Sequence, residues 1–248
     1  MSKWWRGWAV PLALLAAAEM AMHGVQSYAL ASPSEALKAF VTLASDGQLW
    51  RPTAETLGAA LSGVILGGGL GLVLGLWFGL VRSAAFAGSL SVELLRPIPS
   101  VALIPVVLLI FGFGWRMEVS VVAFSCVWPM LIYGQAAVSQ VEPRLIEVGQ
   151  VLGLSPIRRV LKLVIPAVVP RLFVAFRLSV GVALIVAVTV EVAANPQGLG
   201  YGMILAQQTF RPADMFALLG WTGLLGWGLS TGLHSLEKRL FAHYGAIR

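Results

Sequence analysis

Long apolar runs separated by short polar stretches set the pattern of this chain. Six segments stay apolar over about 20 residues or more, the length a helix needs to cross the hydrocarbon of a bilayer. They fall near residues 8–30, 54–81, 88–112, 118–139, 171–194 and 213–236. The alternating short segments of a membrane β-barrel are absent. The expected fold class is therefore all-α: a polytopic membrane protein with six transmembrane helices, forming one domain over residues 1–248.

The polar stretches fix the expected orientation. With the N-terminus in the cytoplasm, the inner segments carry Lys3, Arg6, Arg82, Arg96, Arg144, Arg158, Arg159, Lys162, Arg171, Lys238, Arg239 and Arg248. The outer loops carry only Lys38, Arg51, Arg116 and Arg211. Twelve against four follows the positive-inside rule and puts both termini in the cytoplasm. In the outer segment after the first span, "SPSEALKAF" starts a short interfacial helix that Ser32 or Ser34 can cap. "NPQGLGYG" at 195–202 reads as an outer turn, from its Asn-Pro pair and its glycines.

Composition agrees with a membrane protein. The chain is 58% hydrophobic and 11% charged, whereas soluble domains carry about a quarter charged residues. The formal charge of +6 sits mostly in short loops, as membrane topology requires, and does not indicate nucleic acid. The single cysteine, Cys126, allows no intrachain disulfide. Lys3, Arg6 and the small residues Ala16–Ala18 resemble a signal peptide. Apolar character continues to Leu30, however, so the expectation is an uncleaved first span.

Two spans carry packing signals. Gly63, Gly67, Gly71, Gly75 and Gly79 recur at every fourth position of the second span and make a small face for close helix approach. The third opens "ELLRPIPSVALIP", where Pro97, Pro99 and Pro105 each remove a backbone donor. Such breaks persist in lipid only where protein or a cavity satisfies the freed carbonyls. That places the span toward the bundle interior, with Pro97, Pro99 and Ser100 as candidates to line a pathway.

Catalytic machinery is not evident. No Gly-Lys pair occurs, so a Walker A phosphate loop cannot form, and no G-x-G-x-x-G is present. His23, His234 and His243 do not cluster with metal-ligand spacing. "GLSTG" at 228–232 matches a nucleophile-elbow string, but Ser230 lies within a long apolar span rather than at a strand-to-helix turn. Neither catalytic nor metal-binding residues are assigned. Two ionisable groups within spans remain candidates. Glu191 is the only acid of the fifth span, and intramembrane carboxylates are costly enough to suggest function. Its place near the outer end also suits a structural hydrogen bond. Arg177, about two turns into the same span, could meet an anion or could snorkel to the inner headgroups.

The most informative stretch lies between the fourth and fifth spans, at residues 142–170. Pro143 starts a helix with an apolar stripe at Leu145, Val148 and Leu152. Gly153 suits a left-handed C-terminal position. Ser155 caps a second helix with Pro156 at its first position. That helix gathers Ile157, Val160, Leu161, Val164 and Ile165 on one face and Arg158, Arg159 and Lys162 on another, and Pro166 interrupts the pattern. Such a segment could lie on anionic lipid or dock on a cytoplasmic partner.

"E-V-G-x-x-x-G" at Glu147–Gly153, nine residues, and "L-V-I-P" at Leu163–Pro166 resemble the EAA loop of ABC-importer permeases. The family pattern is Glu-Ala-Ala, three residues, Gly, nine residues, Ile-x-Leu-Pro. Val148, Gly149, Leu163 and Ile165 depart from it. The similarity extends from about Trp50 to Arg239, and "ELLRPIPSVALIPVVLLIFGFG" and "EVAANPQGLGYGM" look like the branch importing nitrate, sulfonates and taurine.

The resemblance implies a type I importer permease fold in a bacterial inner membrane. It implies a second permease copy, a cytoplasmic ATPase subunit that binds ATP and Mg, and a periplasmic or lipid-anchored substrate-binding protein. Glu147, Gly153, Leu154, Ser155, Arg158 and Pro166 become the expected ATPase-coupling residues, with Glu147 and Arg158 pairing either with the partner or with each other across the loop. An ion-coupled secondary transporter is the alternative. It would call for inverted repeats and ionisable groups near the midplane, and the sequence displays no convincing internal repeat.

Overall fold

The computed structural model describes residues 4–22 and 30–242. All regular structure among them is helical. Helix α1 (Trp4–Met22) is followed by α2 (Pro33–Ser45). Helix α3 (Trp50–Gly63) runs through a π-helical turn (Val64–Gly68) into α4 (Gly69–Leu80). Helix α5 (Arg82–Leu95), a 3₁₀ turn (Ser100–Leu103) and α6 (Ile104–Phe111) lead to α7 (Trp115–Ser139). Helices α8 (Pro143–Val151) and α9 (Pro156–Arg159) come next, and a second π turn (Val160–Val164) joins α9 to α10 (Ile165–Ala193). Helices α11 (Gly198–Gln208) and α12 (Pro212–Leu240) complete the order.

Three stretches are long and apolar enough to cross a membrane: Trp50–Leu80, Trp115–Ser139 and Pro156–Gln208. They contain the expected spans 118–139 and 171–194 and all of 54–81 except its last residue, Val81, which is extended and ends the helix. The expected span 88–112 is not one straight helix. Arg82–Leu95 and Ser100–Phe111 meet at 81°, and they make a fourth crossing if the broken pair counts as one. Helix α12 has 29 residues, enough length for the expected span 213–236, but its glycines, His234, Glu237 and Lys238 dilute its apolar character. The expected span 8–30 begins in α1 and runs into residues 23–29, outside the described residues.

Helix α7 is the spine of the bundle. Ala60 and Val64 of the second span, Val122 and Cys126 of α7, and Val180, Ala183 and Ala187 of α10 form one buried cluster. Small side chains dominate it, so the three backbones lie close. The glycine stripe brings α3 and α4 in against α7. A β-carbon at Gly63 would strike Val122, at Gly67 the Ala123 carbonyl and at Gly71 the Val127 carbonyl. At Gly75 it would lie 2.5 Å from the Leu131 oxygen, and at Gly79 it would strike Val138. Four residues overshoot one α-helical turn by about 40°, so five such positions would fan over about 160°. The π turn at Val64–Gly68 locally underwinds the helix and keeps the whole stripe on α7.

The capping expectation holds at α2. Ser32 accepts from the Glu35 N–H, and the Glu35 carboxylate accepts from the Ser32 N–H at 2.8 Å, a complete capping box. Glu19 of α1 accepts from both the backbone and the hydroxyl of Ser34, tying α1 to α2. Phe40 and Leu43 of α2 pack against Leu199, Met203 and Leu218, which covers one end of α11 and α12.

Three expectations need correction. The turn at 195–202 is shorter than expected, because Gly198 already begins α11. A β-carbon at Gly200 would lie 2.5 Å from the Val188 oxygen, so its glycine serves the close packing of α11 on α10 rather than a turn. Pro166 does not interrupt its helix. The chain is helical from Pro156 to Ala193, and the π turn just before Pro166 absorbs the register change at a residue with no N–H to donate. Pro97 and Pro99 are exposed at the 81° elbow rather than turned into the interior of the chain, and α5 has no buried residue. Proline removes hydrogen bonds but does not decide what covers the break.

Candidate functional site

The α8–α9 segment is built as its sequence implies. The Leu154 N–H donates to the Gly149 carbonyl at 3.0 Å and the Gly153 N–H to the Gln150 carbonyl at 2.9 Å. This is the Schellman ending of a helix, which requires a left-handed residue at the corner. Gly153 supplies it with φ +67°. A β-carbon there would meet nothing within 4 Å, so glycine is needed for conformation and not for space. Ser155 then caps α9, accepting from the Arg158 N–H at 3.4 Å, with Pro156 in the first turn.

Gly149 serves the opposite purpose. It is buried, and a β-carbon would lie 2.7 Å from Leu163 Cδ1 and 3.0 Å from Arg159 Cγ. It lets α8 rest directly on the second π turn. Both neighbouring atoms belong to flexible side chains, and alanine gains about 1 kcal/mol of helix propensity over glycine. Gly149→Ala is expected to stay within about 1 kcal/mol of the parent, whereas Gly149→Leu lifts α8 off. Limited proteolysis of the two variants measures this. Equal protection of both would show that α8 does not depend on close approach at residue 149.

The result is a two-helix knob with an apolar surface. Val151 is 89% exposed, Leu152 68%, Ile157 73% and Leu161 58%. Glu147 and Arg158 are also exposed, and neither forms an ion pair among the described residues. The clamp across the loop is therefore not formed, and both charges face outward beside the apolar surface. Leu154 is half-buried beneath the corner and Pro166 half-buried where α10 begins. A patch of large apolar side chains in open contact with its surroundings marks an interaction surface.

A second constellation gathers at the end of the bundle that holds α11. Glu191 is 1% exposed. One of its oxygens accepts from the Thr56 hydroxyl at 2.6 Å and the other from the Gly200 N–H at 2.8 Å. The Thr56 oxygen in turn accepts from the Leu199 N–H at 2.9 Å. Asn195, fully buried, donates to Glu118 at 2.7 Å and accepts from the Gly114 N–H at 2.9 Å. The second Glu118 oxygen is buried without a donor, and the Glu191 carboxyl is its near neighbour. Gly198, at φ +83°, leaves no room for a β-carbon beside Glu191 and donates to Glu55 at 3.1 Å.

This clasp ties α3, α7, α10 and α11 together. Its evident work is to satisfy the N–H groups of the first turn of α11, which have no partner inside their own helix. Sequence reasoning singled out Glu191 and missed Thr56, Glu118 and Asn195. A signal was available: with spans alternating in direction, Glu55, Glu118 and Glu191 all belong to the same end.

Arg177 has a partner that neither sequence reading supplied. It donates to Glu237 of α12 at 2.8 Å and contacts His234 Nδ1 at 2.8 Å. Ser100 is half-buried in the turn after the Pro97–Pro99 elbow. The pathway candidates are thus dispersed: Arg177 joins α10 to α12, Glu191 sits in the clasp, and Pro97, Pro99 and Ser100 lie at the elbow.

The architecture is a bundle of packed apolar helices with a projecting two-helix knob. A solved amino acid ABC transporter matches it with a TM-score of 0.64 at 19% identity, covering 82% of this chain and 94% of that one; at such identity the likeness speaks for the fold. Residues 67–240 match the binding-protein-dependent transport system inner membrane component family, and the chain belongs to that family of ABC-transporter permeases. The resemblance read from the EAA loop therefore holds. The Escherichia coli (strain K12) permease protein SsuC, named for aliphatic sulfonates transport, is 30% identical over 222 residues, 86% of this chain and 84% of its own length. The taurine transport system permease protein TauC of the same organism is 26% identical over 231 residues, 88% of this chain and 82% of its own length.

Proposed function

We propose that this chain is the membrane-spanning subunit of an ATP-driven importer for a small sulfonate-, taurine- or nitrate-type solute, working in a bacterial cytoplasmic membrane. Relatives named for these three solutes support the substrate class. Six spans, with α1 first and α12 last, put both termini in the cytoplasm and the α8–α9 knob beside them.

The exposed apolar knob, standing where the EAA loop belongs, carries this reading. It is the seat for a separate ATPase subunit, which holds ATP and Mg. Glu147, Leu154, Ser155 and Arg158 present or frame that seat, Gly153 shapes its corner, and Pro166 marks where the motion enters α10. An ATPase that binds two permease states with different free energies shifts the population between them, and alternating access follows. The exposed elbow at Pro97 and Pro99 supports a pair of permease copies. A broken backbone in lipid must be covered by protein or line a cavity, and a second copy provides both. An extracytoplasmic binding protein then delivers the solute between the two.

Gly153→Asp tests the proposal. The variant is expected to insert and fold normally, to lose its ATPase on gentle detergent purification, and to abolish transport. Mass spectrometry of the co-purified proteins reads the partner directly. Full transport by a well-expressed Gly153→Asp protein would overturn the docking role.

A further inference from the structure

A cavity of about 400 Å³ opens beside the clasp, between the start of α3, α11 and the start of α12. Arg51, Glu55, Gln197, Tyr201, Arg211 and Asp214 line it. Its charges balance: Arg51 pairs with Glu55 at 2.9 Å, and Arg211 pairs with Asp214. The two carboxylates are the sheltered members, with side chains 26% and 15% exposed, and the two guanidinium groups are the open ones, at 86% and 65%.

Two backbone features hold these groups in place. The Gly198 N–H donates to Glu55, which anchors that carboxylate to α11. Phe210, at the C-terminal corner of α11, has φ +54° and is the one non-glycine residue with positive φ among those described. The Arg211 N–H donates back to the Ala206 carbonyl at 2.8 Å, so the corner has the same form as the one at Gly153. Glycine is the usual residue at such a corner. A bulky residue kept in this conformation is an observed strain of the kind that accompanies functional geometry, and here it aims the residue that follows, Arg211, at the cavity wall.

We propose that this cavity is a binding site for a zwitterionic solute, one that carries an ammonium and a sulfonate or carboxylate a few atoms apart. The anionic end bridges Arg51 and Arg211, and the ammonium end takes Glu55 and Asp214. Exposed ion pairs contribute little to stability, so a solute can take over both internal pairs without a large loss. A bare anion such as nitrate meets two cations and two carboxylates together and gains little from a wall whose charges cancel. Gln197 and Tyr201 supply neutral hydrogen-bond partners. In the proposed topology the site faces outside. The inference rests on the importer reading and narrows its substrate to the amino-sulfonate type.

Isothermal titration of the full-length chain in detergent tests this, with taurine, ethanesulfonate, ethylamine and nitrate as probes. Taurine is expected to bind, and each probe lacking one charge to bind at least about tenfold more weakly. Arg211→Gln and Glu55→Gln are each expected to weaken taurine about tenfold. Arg51→Gln, at a residue open enough to leave folding untouched, should weaken it as well. Equal binding of taurine and ethanesulfonate would overturn the proposal, as would taurine binding unchanged in Arg51→Gln. A cavity that ignores all four probes would overturn it too. The titration needs no ATPase, so loss of the importer reading through the Gly153→Asp experiment and loss of this one are separate results.

Discussion

Gly67→Ala breaks the bundle, while Gly69→Ala two residues away leaves it intact. A β-carbon at residue 67 falls on the backbone carbonyl of Ala123, which cannot turn aside as a side chain can, whereas at residue 69 it meets nothing within 4 Å. The π turn at Val64–Gly68 and α7 would have to separate, and the neighbours at Gly63 and Gly71 would lose their fit with them. Overpacking of a core costs about 1–3 kcal/mol when side chains can adjust, so a clash with backbone should cost about 3 kcal/mol or more. Gly69→Ala instead gains about 1 kcal/mol from helix propensity. Thermal melting of both proteins in the same detergent should show a large fall for the first and a small rise for the second. Equal melting temperatures would mean that the stripe is not a contact surface.

The same comparison shows what local pattern can carry. The glycine spacing, the cap at Ser32, the corner at Gly153 and the cap at Ser155 are short-range features, written within about one helical turn, and each was legible in the sequence. The EAA spacing made the knob recognisable as well. Features that depend on residues far apart were not legible. Thr56 and Glu191 are 135 positions apart, Glu118 and Asn195 77, and Leu199 and Thr56 143. No periodicity links such partners, and Glu118 passed as the first residue of an apolar span. Proline misled in both directions. At Pro166 the backbone found a way to continue, and at Pro97–Pro99 the break was real but lay on the outside of the chain.

Glu191→Ala is expected to be the most damaging change at the clasp. Thr56 can fall back on the Pro52 carbonyl, 3.0 Å from its hydroxyl. The Gly200 N–H has no such alternative, because it lies in the first turn of α11. An orphaned buried donor costs about 1–3 kcal/mol, and the cavity left by the side chain adds to it, for a total of about 3–5 kcal/mol. Glu191→Gln keeps the volume and one acceptor, so it should cost about 1–2 kcal/mol. Melting temperatures of the two variants read the difference. If they agree to within about 0.5 kcal/mol, the carboxylate is not what holds α11 against α3 and α10.

The knob has a consequence for how the cell handles this chain. Val151, Leu152 and Ile157 are the kind of surface that folding surveillance recognises as unfinished. On the proposed docking role, a newly inserted copy would resemble a damaged protein until the partner subunit covers those side chains. Its lifetime then depends on its company. When the chain is made in excess, the surplus should be cleared by proteases, and its abundance should follow that of the subunit it waits for, so that subunit ratios are set by survival as well as by synthesis.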